Sequence, residues 1–546
     1  MQNIESSNPK KHTSFIPMLD DHIGKFVPAV KDKKNFKMVK YQGDLYFRNK
    51  NEHDFGNFLV AVDDFSNGDS AGAVQRIRFM LKEDPSFAGA HHFMLSILDI
   101  LKENELYEKT LFDALKVLPD NPTLLSLRGK FHLNQAEREK GIKYLEECLK
   151  KEPKNVIYWT DLGYAYFLVR NIQMACLCLE TALSISQNHP NVILLSGIIL
   201  QEFGKHIEAK ELYLEGLRLH PKDQKIINNL SLLSLSLGDR KMGFKLFSEI
   251  KDSQRINYKN LTNEIRKIKN LKMNDLVLNK SYKIFVYFEQ GFGDYLMFYR
   301  YLKPLADLGH SITAFGAEDM IKLLKYTDIG KNVKLTGTVT AKEIKNFDFK
   351  TFIFNIPHLL NIEDEIPSQV SIDIEKIKKN KNSLQKKLQK IISKRKVNIG
   401  VSWKGNKKHP YDCGRSIDLK IFEKLFSIQE HNYLIIDKEI NKETKKVLKK
   451  YKNVFLCDRI IKDWSDTAII VSELDQIISV DTSLAHIGGT MNKPTTVLLG
   501  KPTDWRWGID GNKTDWYNSV TLLRQKENNW EKLIFNLYNK LKLIKK

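Results

Sequence analysis

Asp481 opens the stretch with the most specific chemistry in the chain. In Val480-Asp481-Thr482-Ser483-Leu484-Ala485-His486-Ile487-Gly488-Gly489, an apolar run at 476–480 reads as a buried strand, and Asp, Thr and Ser then supply helix caps. The first turn of a helix starting there has unpaired backbone N–H groups and the positive end of the macrodipole, which suit a phosphate or diphosphate. A well-capped strand-to-helix turn with no ligand accounts for those residues equally well on their own. Two further stretches shift the balance. Gly291-Phe292-Gly293-Asp294 follows a strand expected at 282–288. Its glycines allow close backbone approach, and Asp294 offers a carboxylate that can take a proton from a hydroxyl, although a helix cap would use the same residue. The third glycine of a dinucleotide fingerprint is missing. Ser402-Trp403-Lys404-Gly405-Asn406 follows a strand expected at 397–403. Lys404 offers a point charge for a phosphate, and Arg415, in Cys413-Gly414-Arg415-Ser416, a planar bidentate clamp, although a surface cation would use either residue equally.

These loops need a scaffold that brings them together. After about residue 280 the pattern alternates strands and helices, which predicts parallel α/β sheets. Further strands are expected at 311–315, 351–356, 432–436, 454–456, 476–480 and 495–499. The reading gives a small, doubly wound Rossmann-like domain at 281–374 and a second Rossmann-like α/β domain at 397–546. A lysine-rich exposed linker at 375–396 joins them, and an amphipathic terminal helix at 529–544 is expected to pack across the junction. Ligands bind at the carboxyl ends of parallel strands, so the three loops should face one cleft.

The first half of the chain follows another rule. Pro85, Pro119, Pro153 and Pro221 lie on one 34-residue lattice, broken at Gln187. Small or apolar residues recur on it at Ala61, Leu95, Gly129, Gly163, Gly197 and Ser231. A second column holds Ala73, Tyr107, Gly141, Ala175, Ala209 and Gly243, and a third Met80, Ala114, Cys148, Ala182, Gly216 and Ile250. Period and residue types resemble the tetratricopeptide repeat, about six units over 54–257, which implies paired helices in an α superhelix with a groove for a peptide or protein. Residues 1–53 read as a basic arm and 258–280 as a junction.

Composition limits the rest. Of 546 residues, 87 are Lys or Arg and 66 Asp or Glu, a formal charge of +21. The lysines are dispersed and interleaved with glutamate, without a nucleic-acid motif, so a solvated surface is expected and no nucleic-acid partner. The five cysteines have no zinc or redox spacing and are expected as reduced thiols. No Asp-x-Asp, metal-spaced His/Cys cluster, Gly-x-Ser-x-Gly or phosphate-binding loop occurs, so no metal or other cofactor is expected. Met1 to Lys11 is polar and no apolar run reaches membrane length, so a cytoplasmic protein is expected, membrane contact being the less favoured alternative.

Gly-x-Gly-Asp, Ser-Trp-Lys-Gly-Asn, and Asp-Thr-Ser-Leu-Ala-His followed by Gly-x-x-x-x-Lys-Pro-Thr-Thr-Val-Leu-Leu-Gly together resemble the heptosyltransferase group of glycosyltransferases (family 9). Asp-Trp-Arg-Trp-Gly at 504–508 and Trp-Tyr-Asn-Ser-Val at 516–520 resemble the branch with preceding tetratricopeptide repeats. The arrangement is also similar to protein O-GlcNAc transferases and flagellin glycosyltransferases. The resemblance implies an α superhelix followed by an α/β GT-B fold of two Rossmann-like domains. It further implies a metal-independent inverting transferase using a nucleotide-diphosphate sugar. On that basis Asp294 is the general base. Gly291, Gly293, Ser402, Trp403, Lys404, Gly405, Asn406, Arg415, Asp481, Thr482, Ser483, Leu484 and His486 are donor-binding residues. A protein or peptide held by the repeats is the implied acceptor, because the first α/β domain is short. The alternatives are a repeat scaffold with an inactive nucleotide-binding domain, and transfer to a lipid-linked glycan.

Overall fold

A computed structural model describes residues 38–41, 44–47, 50–66, 69–101, 103–255, 265, 267–276, 280–406, 409, 412–526 and 529–545. Most of the basic arm expected at 1–53, and much of the junction expected at 258–280, lie outside the described residues. The chain divides into two compact units, Met1–Leu162 and Gly163–Lys546.

In the first unit, β1 (Met38–Tyr41) pairs antiparallel with β2 (Asp44–Phe47). Helical hairpins follow: Lys50–Ser66 with Ser70–Glu83, Ala88–Ile100 with Asn104–Val117, and Pro122–Asn134 with Arg138–Lys151. Their ends are written in the sequence. Asp69 and Asn121 cap helices by accepting from backbone N–H groups. Pro85, Pro119 and Pro153 come just after the second helix of each pair, where a missing N–H is harmless. Most of the lattice positions are buried: Ala61, Ala73 and Met80 sit in one core cluster and Leu95 and Ala114 in the next, with Tyr107 partly buried against both.

The second unit opens with the same repeat. The helices Pro190–Glu202, His206–Leu219, Gln224–Ser236 and Arg240–Ser248 keep the 34-residue step, from Pro190 to Gln224 and from His206 to Arg240. Opposed columns touch here. The Ser231 hydroxyl donates to the Gly243 carbonyl at 2.8 Å. Tyr213, fully buried, fills the space left by Gly197.

Two parallel sheets follow. The first has four strands, β3 (Lys283–Tyr287), β4 (Ser311–Phe315), β5 (Val333–Thr336) and β6 (Phe349–Phe352), in the order β5-β4-β3-β6. The second has six, β7 (Val397–Ser402), β8 (His431–Ile435), β9 (Val454–Leu456), β10 (Gln476–Val480), β11 (Thr495–Leu499) and β12 (Val520–Arg524), in the order β12-β11-β10-β7-β8-β9. Every pairing within both sheets is parallel. Alternate residues of β3 enter different cores: Ile284 and Val286 on one face, Phe285 and Tyr287 on the other. A strand covered on both faces therefore reads as a continuous apolar run. The expectation of parallel α/β sheets holds; β5 and β12 were not expected. β5 is only half-buried and carries Lys334 and Thr336 among its four residues, which hides it from an apolar-run criterion.

Two local expectations are corrected. The terminal helix Trp530–Lys542 turns Leu533, Ile534, Leu537 and Leu541 onto the six-stranded sheet, in the core that holds Val397, Ile399 and Tyr433, rather than across a junction. The lysine-rich segment forms two short helices, Ile374–Asn380 and Asn382–Leu388, whose Ile377, Leu384 and Leu388 are buried. Lys381, half-buried, is held between Asp463 at 2.7 Å and Asp466 at 2.8 Å, so this lysine pairs with two carboxylates, one of them buried, instead of lying on a solvated face.

Candidate functional site

The strand orders single out where a site can form. In the four-stranded sheet the chain runs outward from β3 through β4 and β5 on one side and adds β6 on the other. In the six-stranded sheet it runs from β7 through β8 and β9, then from β10 through β11 and β12 on the opposite side. The loops after β3, β7 and β10 therefore leave at the two topological switch points, where crossovers to opposite faces open a crevice. Those loops carry Asp294, Lys404 and Asp481.

After β3 the chain passes Gln290, at φ 71°, into the helix Phe292–Phe298. Asp294 lies in its first turn and accepts from the Gly291 N–H at 3.1 Å, so it is part of the helix cap. The same carboxylate does a second thing. Its Oδ1 accepts from Arg506 Nε at 2.8 Å and also from Arg506 Nη2. Burial pushes the Asp294 carboxyl upward from its ordinary range, and Arg506 works against that rise. Gly293 faces His486: a Cβ there would lie 2.5 Å from His486 Cδ2. The glycine thus lets the Phe292–Phe298 helix approach the helix Ser483–Thr490 that follows β10.

Thr482 caps that second helix, its hydroxyl accepting from the Leu484 N–H at 3.3 Å and contacting Ser479 Oγ at 2.9 Å. Ser483 begins the helix, and Leu484 and His486 are buried within it. His486 stacks on Trp507 with centroids 4.9 Å apart, and its Nδ1 lies 3.1 Å from the Tyr517 hydroxyl. Burial, with Arg506 nearby, drives its imidazole down to about 3, so it is neutral at physiological pH. Asp481 Oδ1 accepts from the Trp507 indole N–H at 2.8 Å. Burial, reinforced by the neighbouring Asp504 charge, pushes the Asp481 carboxyl up to about 6.

Arg415 joins the two loops of the six-stranded sheet. Its Nη1 donates to the Asp481 carbonyl at 3.1 Å and its Nε to Asp412 Oδ1 at 3.1 Å. Ser416 donates to the same Asp412 oxygen at 2.9 Å and accepts from the Gly405 N–H at 2.8 Å. A Cβ at Gly405 would lie 2.4 Å from the Arg415 guanidinium, so a larger residue there would push that guanidinium aside. Ser402 Oγ reaches the Lys404 carbonyl at 3.4 Å. Trp403 goes elsewhere: it is buried in the sheet core, its ring 5.6 Å from Phe422. Lys404 turns to Asp437 at 3.2 Å, beyond β8, and Asn406 is exposed. Asp294, Gly293, Gly405, Arg415, Asp481, Thr482 and His486 are thus linked through shared contacts, whereas the Trp403 and Lys404 side chains point to other partners. Among the described residues, no three His, Cys, Asp or Glu side chains gather as a metal-binding group.

The residues that make the connection came without an assigned role in the sequence reading. In Asp504-Trp505-Arg506-Trp507, Trp505 packs near Phe298 and Trp516, Arg506 bridges Asp294 and Asp504, and Trp507 meets Asp481 and His486. Asp504 also accepts from the Arg506 N–H at 3.0 Å. Although burial raises the Asp504 carboxyl, the adjacent Arg506 charge outweighs it and holds the group below its ordinary range. An arginine between two tryptophans, just beyond a buried strand, was the signal available.

No protein-family model matches the chain. No curated protein matches it either. Solved structures do. A pilF protein of Pseudomonas aeruginosa is 19% identical with TM-score 0.30, over 36% of this chain and 90% of its own. A tetratricopeptide repeat protein from Parabacteroides merdae is 15% identical with TM-score 0.29, over 39% and 91%. YrrB, described as a TPR protein with an unusual peptide-binding site, is 16% identical with TM-score 0.23, over 33% and 92%. In its helical repeats, the chain is similar to proteins of the tetratricopeptide-repeat kind.

Proposed function

We propose that this chain is a metal-independent inverting glycosyltransferase of GT-B type, moving a sugar from a nucleotide-diphosphate donor to a protein held by the repeats. One observation carries the reading: loops from the switch points of two separate parallel sheets meet, with Asp294 of one joined through Arg506-Trp507 to Asp481 of the other. A carboxylate beside a capped helix N-terminus and two guanidinium groups suits attack by a hydroxyl on a carbon bearing a diphosphate leaving group. Asp294 takes the hydroxyl proton as the bond to the anomeric carbon forms. Arg415, Arg506 and the Ser483–Thr490 helix stabilise the charge that develops on the departing diphosphate. Purified chain incubated with nucleotide sugars and candidate acceptors should transfer sugar or slowly hydrolyse the donor, and Asp294→Ala should abolish transfer. Transfer at the parental rate by that variant removes Asp294 from the mechanism.

A second reading has its own support. Phe244 and Phe247 of the last repeat helix share one core with Phe298 and Phe354 of the α/β part, as expected of a rigid scaffold that needs no turnover. In that reading the repeats hold a peptide or protein and the sheets bind a nucleotide or nothing. A melting temperature unmoved by any nucleoside diphosphate would favour it.

A further inference from the structure

We propose that Arg506 is a diphosphate-binding residue held in reserve by Asp294, and that a nucleoside diphosphate competes with Asp294 for its guanidinium. The proposal rests on the nucleotide-sugar reading above and adds a residue, and a coupling, to it.

The contacts of Arg506 are lopsided. Nε and Nη2 both donate to one oxygen of Asp294, while the other oxygen is occupied by the Gly291 N–H. A guanidinium and a carboxylate at their best match fork to fork, two parallel bonds to two oxygens, and a phosphate offers the same fork. Asp294 is therefore a partial match for this edge of Arg506. Meanwhile Nη1 donates to Asp504 at 2.7 Å, and the Arg506 N–H to the same oxygen, so the side chain stays anchored if the Asp294 edge is released.

The position fits a diphosphate. Trp507, next in the chain, bonds Asp481 directly before the Ser483–Thr490 helix, and Arg415 bonds the Asp481 carbonyl from the other side. Two guanidinium groups thus flank one helix N-terminus. Arg506 pairs with Asp294 and Asp504 and Arg415 with Asp412, while the fourth carboxylate, Asp481, accepts from the Trp507 indole and its backbone carbonyl from Arg415. With acids in excess, an entering anion is accommodated by taking over a guanidinium that is already paired. Asp294 is the partner that can be displaced, because its helix-cap bond to Gly291 remains. The consequence is ordered chemistry: the carboxylate that must accept a proton is released from its cation only when the donor is present.

Isothermal titration of the full chain with UDP, GDP, ADP and CDP tests this, with Asp294→Asn, Arg506→Gln and the double variant, each checked for folding by circular dichroism. Asp294→Asn should bind its preferred diphosphate about three- to tenfold more tightly than the parent, and Arg506→Gln at least about tenfold more weakly. In the Arg506→Gln background Asp294→Asn should bring no gain. A gain of equal size in both backgrounds overturns the proposal, since removal of negative charge alone would explain it. Unchanged or weaker binding by Asp294→Asn overturns it as well. Should Asp294→Asn fail to fold, Asp294→Ser is read in the same way. A parent chain that binds none of the four diphosphates refutes the donor-site reading and this proposal with it, whereas parental binding without the gain refutes the proposal alone.

Discussion

Arg255 and Glu289 form an ion pair shut off from solvent, their side chains 2% and 0% exposed. Arg255 lies just beyond the last repeat helix, and Glu289 begins the loop that leads to Asp294. Arg255 also donates to Asn355 Oδ1 at 2.8 Å and lies between the rings of Phe247 and Phe352. The loop that presents the candidate base is therefore anchored to the end of the repeats. Burial pushes the Glu289 carboxyl upward, and Arg255 counters it.

Breaking that pair from one side should be costly. Glu289→Ala leaves a buried guanidinium without its anion, and a loss of about 3–5 kcal/mol is expected, read as a fall in the urea midpoint. Replacing both residues by methionine should recover most of the loss, because an apolar pair leaves no charge stranded. A double variant as unstable as the single one would mean that the loop depends on this charge pair specifically.

Asp481 should make the chain more stable toward acid within a defined window. Its folded-state pKa, raised from 3.8 to about 6, means the folded form holds a proton that the unfolded form has released. The stabilisation is complete below about pH 4 and is lost as pH rises through about 6, opposite in sign to an ordinary ion-paired carboxylate. Asp481→Asn should flatten this segment of the stability profile. Because Trp507 donates to Asp481, the parent should also show a tryptophan emission change in this window that the variant lacks.

Arg415→Lys should weaken nucleoside diphosphate binding by about tenfold while leaving the fold intact. An ammonium cannot reproduce two directed bonds, here to the Asp481 carbonyl and to Asp412. Calorimetric titration of both forms with the same diphosphate measures the effect.

Gly293→Ala should disturb the site through packing. The added methyl meets His486 at 2.5 Å, which forces apart the helices that carry Asp294 and His486. Overpacking of this kind costs about 1–3 kcal/mol. Sugar transfer or donor hydrolysis should fall more than ligand affinity does, since Asp294 is displaced while Arg415 and the Ser483–Thr490 helix remain. Equal losses in rate and affinity would argue against it.

The repeats make a separate prediction. A methyl group at Gly197 would fall 2.2 Å from the buried Tyr213 ring, so Gly197→Ala should lower the melting temperature. Removing the hydroxyl with Tyr213→Phe should not rescue it, because the ring carbons remain in the way.

The sequence alone determined the features whose spacing is set locally. Helix pairs recur because a fixed number of residues closes each hairpin, so small residues and prolines return at the same interval and the repeat could be counted. β4, β9, β10 and β11 were delimited to the residue by apolar runs between turn residues. The loops with Asp294, Lys404 and Asp481 could be named because each directly follows such a run. Only the tertiary structure decided which side chains meet. Asp294 and Arg506 are 212 residues apart in the chain, and no periodicity links them. Trp403 was grouped with the ligand loop by adjacency, yet the strand's alternation sends its ring into the core beside Phe422. Lys381 looked like part of a solvated run until Asp463 and Asp466 were brought to it from the far end of β9. Local order follows from backbone geometry, which is short-ranged; pairing of buried charges follows from the need to satisfy each one wherever the fold has placed it.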